Sequence, residues 1–114
     1  MTRARGVPRD VWRERLQLSD AELLAFCDRW SIVEFAVFGS ILREDWGPDS
    51  DIDVLVTFAE GVHWPWGGLA SVESELERLL GRPVDVGTRR SVEEVTNPDR
   101  RSEILGDAQV VAAA

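Results

Sequence analysis

Two aspartates, Asp51 and Asp53, open the apolar stretch DIDVLVTF, which has the composition of a β-strand. Residues two apart in a strand point to the same face, so the pair presents two carboxylates side by side. Such anions repel one another unless a cation sits between them. Hard oxygen donors of this kind suit Mg²⁺, which is usually held by one or two carboxylates together with substrate phosphates. A third acid, Asp85, stands alone between Val84 and Val86 in another strand-like segment, where a charge is costly without a partner or a metal. Upstream of Asp51, across ten intervening residues, Gly39-Ser40 ends an earlier apolar run. A glycine there lets phosphate approach the backbone, and a following helix N-terminus offers N–H donors to an anion. A lone Gly-Ser is a turn and a lone Asp-x-Asp is a solvated strand end. Their combination with a distal strand aspartate is metal-and-phosphate chemistry.

The elements that must position these residues are legible in outline. Ser19 to Trp30 carries Leu23, Leu24, Phe26, Cys27 and Trp30 at helical spacing, and Ser19 with Glu22 forms a capping-box signature. Ile32 to Phe38 is almost continuously apolar and predicts a buried strand that runs into the Gly39-Ser40 turn. A short helix or loop follows, and the turn cluster Gly47-Pro48-Asp49-Ser50 then leads into a strand over Asp51 to Phe58. Residues 59 to 68, AEGVHWPWGG, read as a loop. Leu69, Val72, Leu76, Leu79 and Leu80 share one face of a second amphipathic helix that Gly81 stops. Pro83 to Val86 is a short strand, Asn97-Pro98 opens a helix through Leu105, and Val110 to Ala114 is apolar. This order predicts an α/β (α+β) domain, a small mixed β-sheet with helices packed against it.

Length and composition bound the rest. The 114 residues make one domain, 1–114, with 44% apolar and 30% charged residues, and no stretch approaches a membrane span. The lone Cys27 has no disulfide partner in the chain and no signal-like segment opens it, which places the protein in the cytoplasm. Thirteen basic against 21 acidic residues give a net charge of −8, which disfavours direct binding to nucleic acid or an anionic membrane. Every basic residue is Arg, so a Schiff base or a Walker lysine is excluded. Residues 1–15 hold five Arg against Asp10 and Glu14, and residues 1–17 read as a frayed or partner-binding arm.

The stretch FGSILREDWGPDSDIDVLVTF followed by LLGRPVDVGT resembles the minimal nucleotidyltransferases of the DNA polymerase β superfamily, small proteins often encoded beside HEPN-domain toxins. The resemblance runs from about Ile32 to Ala112 and implies the polymerase-β-like nucleotidyltransferase fold. Residue by residue, Gly39 and Ser40 match the family's phosphate-gripping turn, and Arg43 matches the basic residue that follows it. Asp51 and Asp53 match the metal ligands and Asp85 the third carboxylate, which makes these three the candidate catalytic and metal-binding residues. Ser50 joins Gly39, Ser40 and Arg43 as a candidate nucleotide-binding residue. The implied reaction moves a nucleoside monophosphate from an NTP, ATP foremost, with two Mg²⁺ ions bridging acids and triphosphate. Many relatives carry Gly after the matched Arg, where this chain has Glu44-Asp45.

Larger relatives grip their acceptor with a helical domain that 114 residues cannot hold, so the acceptor is expected on another molecule. In related toxin–antitoxin pairs it is a Tyr of the HEPN partner, and this chain contains no Tyr of its own. The resemblance thus implies an antitoxin that adenylylates a HEPN-domain toxin or another acceptor protein. Two other functions stand beside it: a non-catalytic antitoxin acting by stoichiometric binding, and a small-molecule nucleotidyltransferase of the aminoglycoside-modifying kind. Trp64 and Trp66 are candidates for anchoring a partner or stacking a base, or for folding back onto the sheet. Trp46 either edges the nucleotide pocket or packs beneath Pro48. Arg82, Arg89 and Arg90 bracket Asp85, to neutralise triphosphate charge or as solvated surface. The apolar end either adds a strand to the sheet or mediates association into a homo-oligomer.

Overall fold

The computed structural model of the chain describes residues 5–64, 67–94 and 96–113. Its strands are β1 (Ile32–Phe38), β2 (Ile52–Phe58), β3 (Val84–Thr88) and β4 (Gln109–Ala113), lying side by side in the order β3-β2-β1-β4. Around them stand α1 (Arg9–Arg15), α2 (Asp20–Trp30), α3 (Gly68–Leu80), α4 (Arg89–Glu93) and α5 (Pro98–Asp107), and a 3₁₀ turn occupies Gly39–Leu42. The sheet is mixed: β1 is antiparallel to both β2 and β4, whereas β2 and β3 are parallel. Parallel neighbours need a crossover, and α3 supplies it.

Local chemistry sets the helix ends. The Ser19 hydroxyl accepts the Glu22 amide and the Glu22 carboxylate accepts the Ser19 amide, the reciprocal cap read from the sequence. Gly81 takes the left-handed conformation (φ 71°) that ends α3. Asn97 caps α5 with Pro98 in its first turn. On α3 only part of the expected stripe is buried: Val72, Leu76 and Leu80 face the core, while Leu69 and Leu79 remain more than a third exposed.

The two sheet faces are unequal. Phe35, Val37, Ile52, Val54, Val56, Val84 and Val86 join Trp12, Leu16, Leu23, Phe26 and Leu76 in the large core beneath α1, α2 and α3. The opposite face holds a smaller cluster of Ala36, Leu55 and Val92, with Phe38, Ile104 and Leu105 packed against it.

At three places the structure goes beyond the sequence reading. Residues 5–16 do not fray: Val7 and Glu44 donate amide hydrogen bonds to Leu42 and Arg5, and Trp12 and Leu16 are fully buried. The apolar end of the chain adds strand β4 to the sheet. Helix α4 was not expected; it is a five-residue segment capped by the reciprocal Thr88–Ser91 bonds. Both sheet edges are blunted by side chains, because the Arg9 guanidinium donates to the Val110 carbonyl and the Glu73 carboxylate accepts the Val86 amide.

Candidate active site

Alternation along β2 divides its residues by chemistry. Ile52, Val54 and Val56 point into the large core, so Asp53, between them, points to the opposite face with Leu55. The same alternation in β3 buries Val84 and Val86 and leaves Asp85 on that opposite face. Asp53 and Asp85 are direct partners in the parallel β2–β3 register, about 4.8 Å apart by strand spacing. Asp51 stands one residue before β2 begins, on the same side as Asp53. The structure therefore brings the three carboxylates to one end of one sheet face. Asp85 is exposed there, so the burial cost expected for a charge between two valines does not arise.

Asp53 is half-buried, and its carboxyl is pushed up from 3.8 to about 6. Desolvation is the main cause, Asp85 and then Asp51 add repulsion, and Arg43 and Arg100 oppose the rise. Gly39 lies against this group. Its φ of 78° is in the left-handed region, and a Cβ built on it would overlap the Asp53 Oδ2. Glycine is thus required twice, by backbone conformation and by the approach of the carboxylate. Ser40 is next, its hydroxyl donating to the Asp51 carbonyl at 3.5 Å, a long contact that links the turn to the acid strand.

The loops on either side are held by arginines. Arg15 donates to the carbonyls of Ile41 (3.0 Å) and Arg43 (2.7 Å), fixing the segment that carries Arg43. Arg82 donates to the carbonyls of Gly47 (3.2 Å) and Ser50 (2.9 Å), and its guanidinium lies 4.1 Å from the centre of the Trp46 ring. Arg82 and Trp46 therefore brace the approach to Asp51. The Ser50 hydroxyl accepts the Gly47 amide at 3.0 Å, which makes that side chain part of the turn. Arg89 pairs with Glu34 at 2.5 Å, and the exposed Arg90 lies 3.7 Å from Glu94. Arg43 pairs through Nε with Asp45 at 3.1 Å, so the acid that departs from the family pattern partly neutralises the cation beside the turn. Trp64 folds inward onto Trp30 and Phe58, with ring centres 5.2 and 6.1 Å away, and Trp66 lies outside the described residues.

The sequence reading missed α5 as a wall of the site. Arg100, Glu103, Ile104 and Asp107 line a cavity of about 230 Å³ together with Phe38, Gly39, Arg43 and Asp53. Their spacing of i, i+3, i+4 and i+7 is one helix face, a signal present in the sequence but without an apolar stripe to announce it. A second cavity of about 520 Å³ adjoins the first through Gly39, Arg43 and Asp107, and reaches Arg9 and Gln109.

Among the described residues no group of three or more acidic, imidazole or thiol side chains is arranged so as to hold a metal ion. The donor set nevertheless fits Mg²⁺: it is all oxygen, self-repelling and open, and that ion keeps several waters and takes its remaining ligands from phosphate.

Comparison with known proteins identifies the family of the chain. Residues 22–111 match the nucleotidyltransferase domain family, and the chain belongs to that family. A solved structure provisionally described as a minimal nucleotidyltransferase is 33% identical; the alignment covers 88% of this chain and 92% of that one, with a TM-score of 0.61. Two proteins of Methanocaldococcus jannaschii provisionally named protein adenylyltransferases are also similar. One is 32% identical over 57% of this chain and 65% of its own length, so the match spans just under two thirds of that relative. The other is 38% identical over 64% of this chain and 72% of its own. A toxin–antitoxin crystal structure with AMP-PNP shares the fold at 15% identity, TM-score 0.64, covering 85% of this chain and 75% of that one. Among the described residues, no helix is long and apolar enough to cross a membrane.

Proposed function

We propose that this protein is a Mg²⁺-dependent adenylyltransferase that moves AMP from ATP to a hydroxyl of a partner protein, and that it acts as the antitoxin of a pair whose toxin is a HEPN-domain protein. The observation that carries the reaction is the meeting of Asp51, Asp53 and Asp85 on one sheet face beside a glycine with no room for a side chain. The protein partner is supported by relatives named as protein adenylyltransferases and by a fold shared with a toxin–antitoxin complex.

In the reaction the acceptor oxygen forms a bond to the α-phosphorus, the bond from that phosphorus to the β-bridging oxygen breaks, and pyrophosphate leaves. Asp51, Asp53 and Asp85 would hold the divalent ions, which when bound supply Lewis-acid stabilisation of the phosphate charge. Asp85, exposed on the edge strand, would take the proton of the incoming hydroxyl. Gly39 and the Ser40 turn receive the phosphates, and Arg43 contributes charge once the nucleotide displaces Asp45.

The test is transfer of label from α-phosphate-labelled ATP, with Mg²⁺, into a lysate of the source organism. A band labelled by the native chain but not by its Asp51→Asn/Asp53→Asn form gives the enzyme and the mass of its acceptor. No label with any NTP, from a chain that still captures a partner, would replace this reading by stoichiometric binding.

A further inference from the structure

We propose that Arg100 of α5 is a second phosphate-binding residue, which contacts the triphosphate of the nucleotide together with Arg43. The inference rests on the nucleotidyltransferase reading and adds a residue outside the family's motif. A nucleoside triphosphate carries about four negative charges, and in a chain without lysine the side-chain cations suited to meet them beside the turn amides are arginines. Most arginines around the acids are already engaged. Arg15 and Arg82 hold loop carbonyls, Arg89 pairs with Glu34, and Arg90 neighbours Glu94. Arg43 is shared with Asp45.

Arg100 differs in three respects. It lines the cavity that also contains Gly39, Arg43 and Asp53. It is exposed, so a ligand entering from solvent reaches it. Its guanidinium makes no hydrogen bond or ion pair among the described residues, although its charge is felt at Asp53. The helix places it there for a packing reason. Ile104, one turn further along the same face, packs against the Ala36–Leu55–Val92 cluster and fixes the rotation of α5. An arginine held over the cavity in this way presents a planar fork suited to phosphate oxygens.

The experiment is calorimetric titration of the full chain, in Mg²⁺, with AMP-PNP and with AMP, for native protein and for Arg100→Ala, Arg100→Lys and Arg90→Ala. Arg100→Ala should weaken AMP-PNP about ten- to a hundredfold, the range for a charge-assisted hydrogen bond, and AMP much less. Arg100→Lys should recover part of the loss, and Arg90→Ala, the same change of charge on the exposed α4 surface, should leave both ligands unaffected. Unchanged AMP-PNP affinity in Arg100→Ala would overturn the proposal. So would an equal loss for both nucleotides together with a lower melting temperature, the mark of a structural counter-charge to Asp53. A native chain that binds neither nucleotide would overturn the underlying nucleotidyltransferase reading as well, whereas a native chain that binds and transfers beside an unaltered Arg100→Ala variant removes Arg100 alone.

Discussion

One face of the sheet is filled by Phe26, Phe35, Val37, Val54, Val56 and Leu76, all essentially inaccessible, while the other holds Ala36, Leu55 and Val92 beside half-buried Asp53 and exposed Asp85. The first face is built from large apolar side chains without a charge among them. The second has small residues, open cavities and a carboxyl whose pKa is pushed up by its surroundings. The difference teaches a division of labour within single strands. Alternate residues of β2 go to stability and to chemistry, so each face can be changed with little effect on the other.

The largest effect expected of this division is on the packed face. Phe35→Ala removes a fully buried ring that meets Phe26 edge to face, and should cost about 3–5 kcal/mol in urea unfolding. A loss below about 1 kcal/mol would mean that the two faces share the load after all. Next comes Gly39→Ala on the other face. The new methyl must displace the Asp53 carboxylate, and a misplacement of about 1 Å can lower a catalysed rate about a hundredfold. Its backbone strain should cost only about 1–2 kcal/mol. Label transfer falling in proportion to unfolded protein, and no further, would contradict the assigned role of that contact.

A smaller effect runs in the reverse direction. The folded chain holds the Asp53 carboxyl at about 6 against 3.8, so between those values it binds more protons than the unfolded chain. The resulting stabilisation is present at low pH and is lost as pH rises through about 6. Asp53→Asn should therefore stabilise the chain by about 1 kcal/mol at pH 7.5, after discounting for solvent screening, and much less at pH 4. An equal gain at both pH values would point to packing rather than charge. The smallest change expected is from Asp45→Asn. Freeing Arg43 from a partly exposed ion pair is worth about 0.2–1 kcal/mol, or up to about a fivefold lower KM for ATP at unchanged kcat. A raised KM would instead make Asp45 a residue that orients Arg43.

Much of the molecule was legible before any coordinates. The capping box of α2, the glycine stop of α3, the Asn-Pro start of α5 and the buried run of β1 are local signals whose causes lie within a few residues. What was misread depended on distant partners. Residues 1–17 looked like a frayed or partner-binding arm because five arginines near one end suggest solvation; within the described part, Trp12 and Leu16 are buried and Arg15 binds carbonyls 26 and 28 residues away. Arg82 looked like a phosphate ligand or free surface because sequence places it near Asp85; its donors go to the turn before Asp51. Trp64 was open to two readings, contact with a ligand or partner and folding back onto the sheet, and it packs on Trp30 and Phe58.

The sequence by itself put the candidate residues in view: Asp51 and Asp53 share a face through the two-residue period of a strand, and Gly39-Ser40 marks a turn at the end of an apolar run. Only the tertiary structure decided that Asp85 joins them, because the parallel β2–β3 register depends on the α3 crossover. It also decided that Arg100 of α5 lines the same cavity as Gly39, Arg43 and Asp53. Periodicity is a property of neighbours along the chain, whereas register and helix rotation are fixed by apolar surfaces that meet only when distant segments pack together.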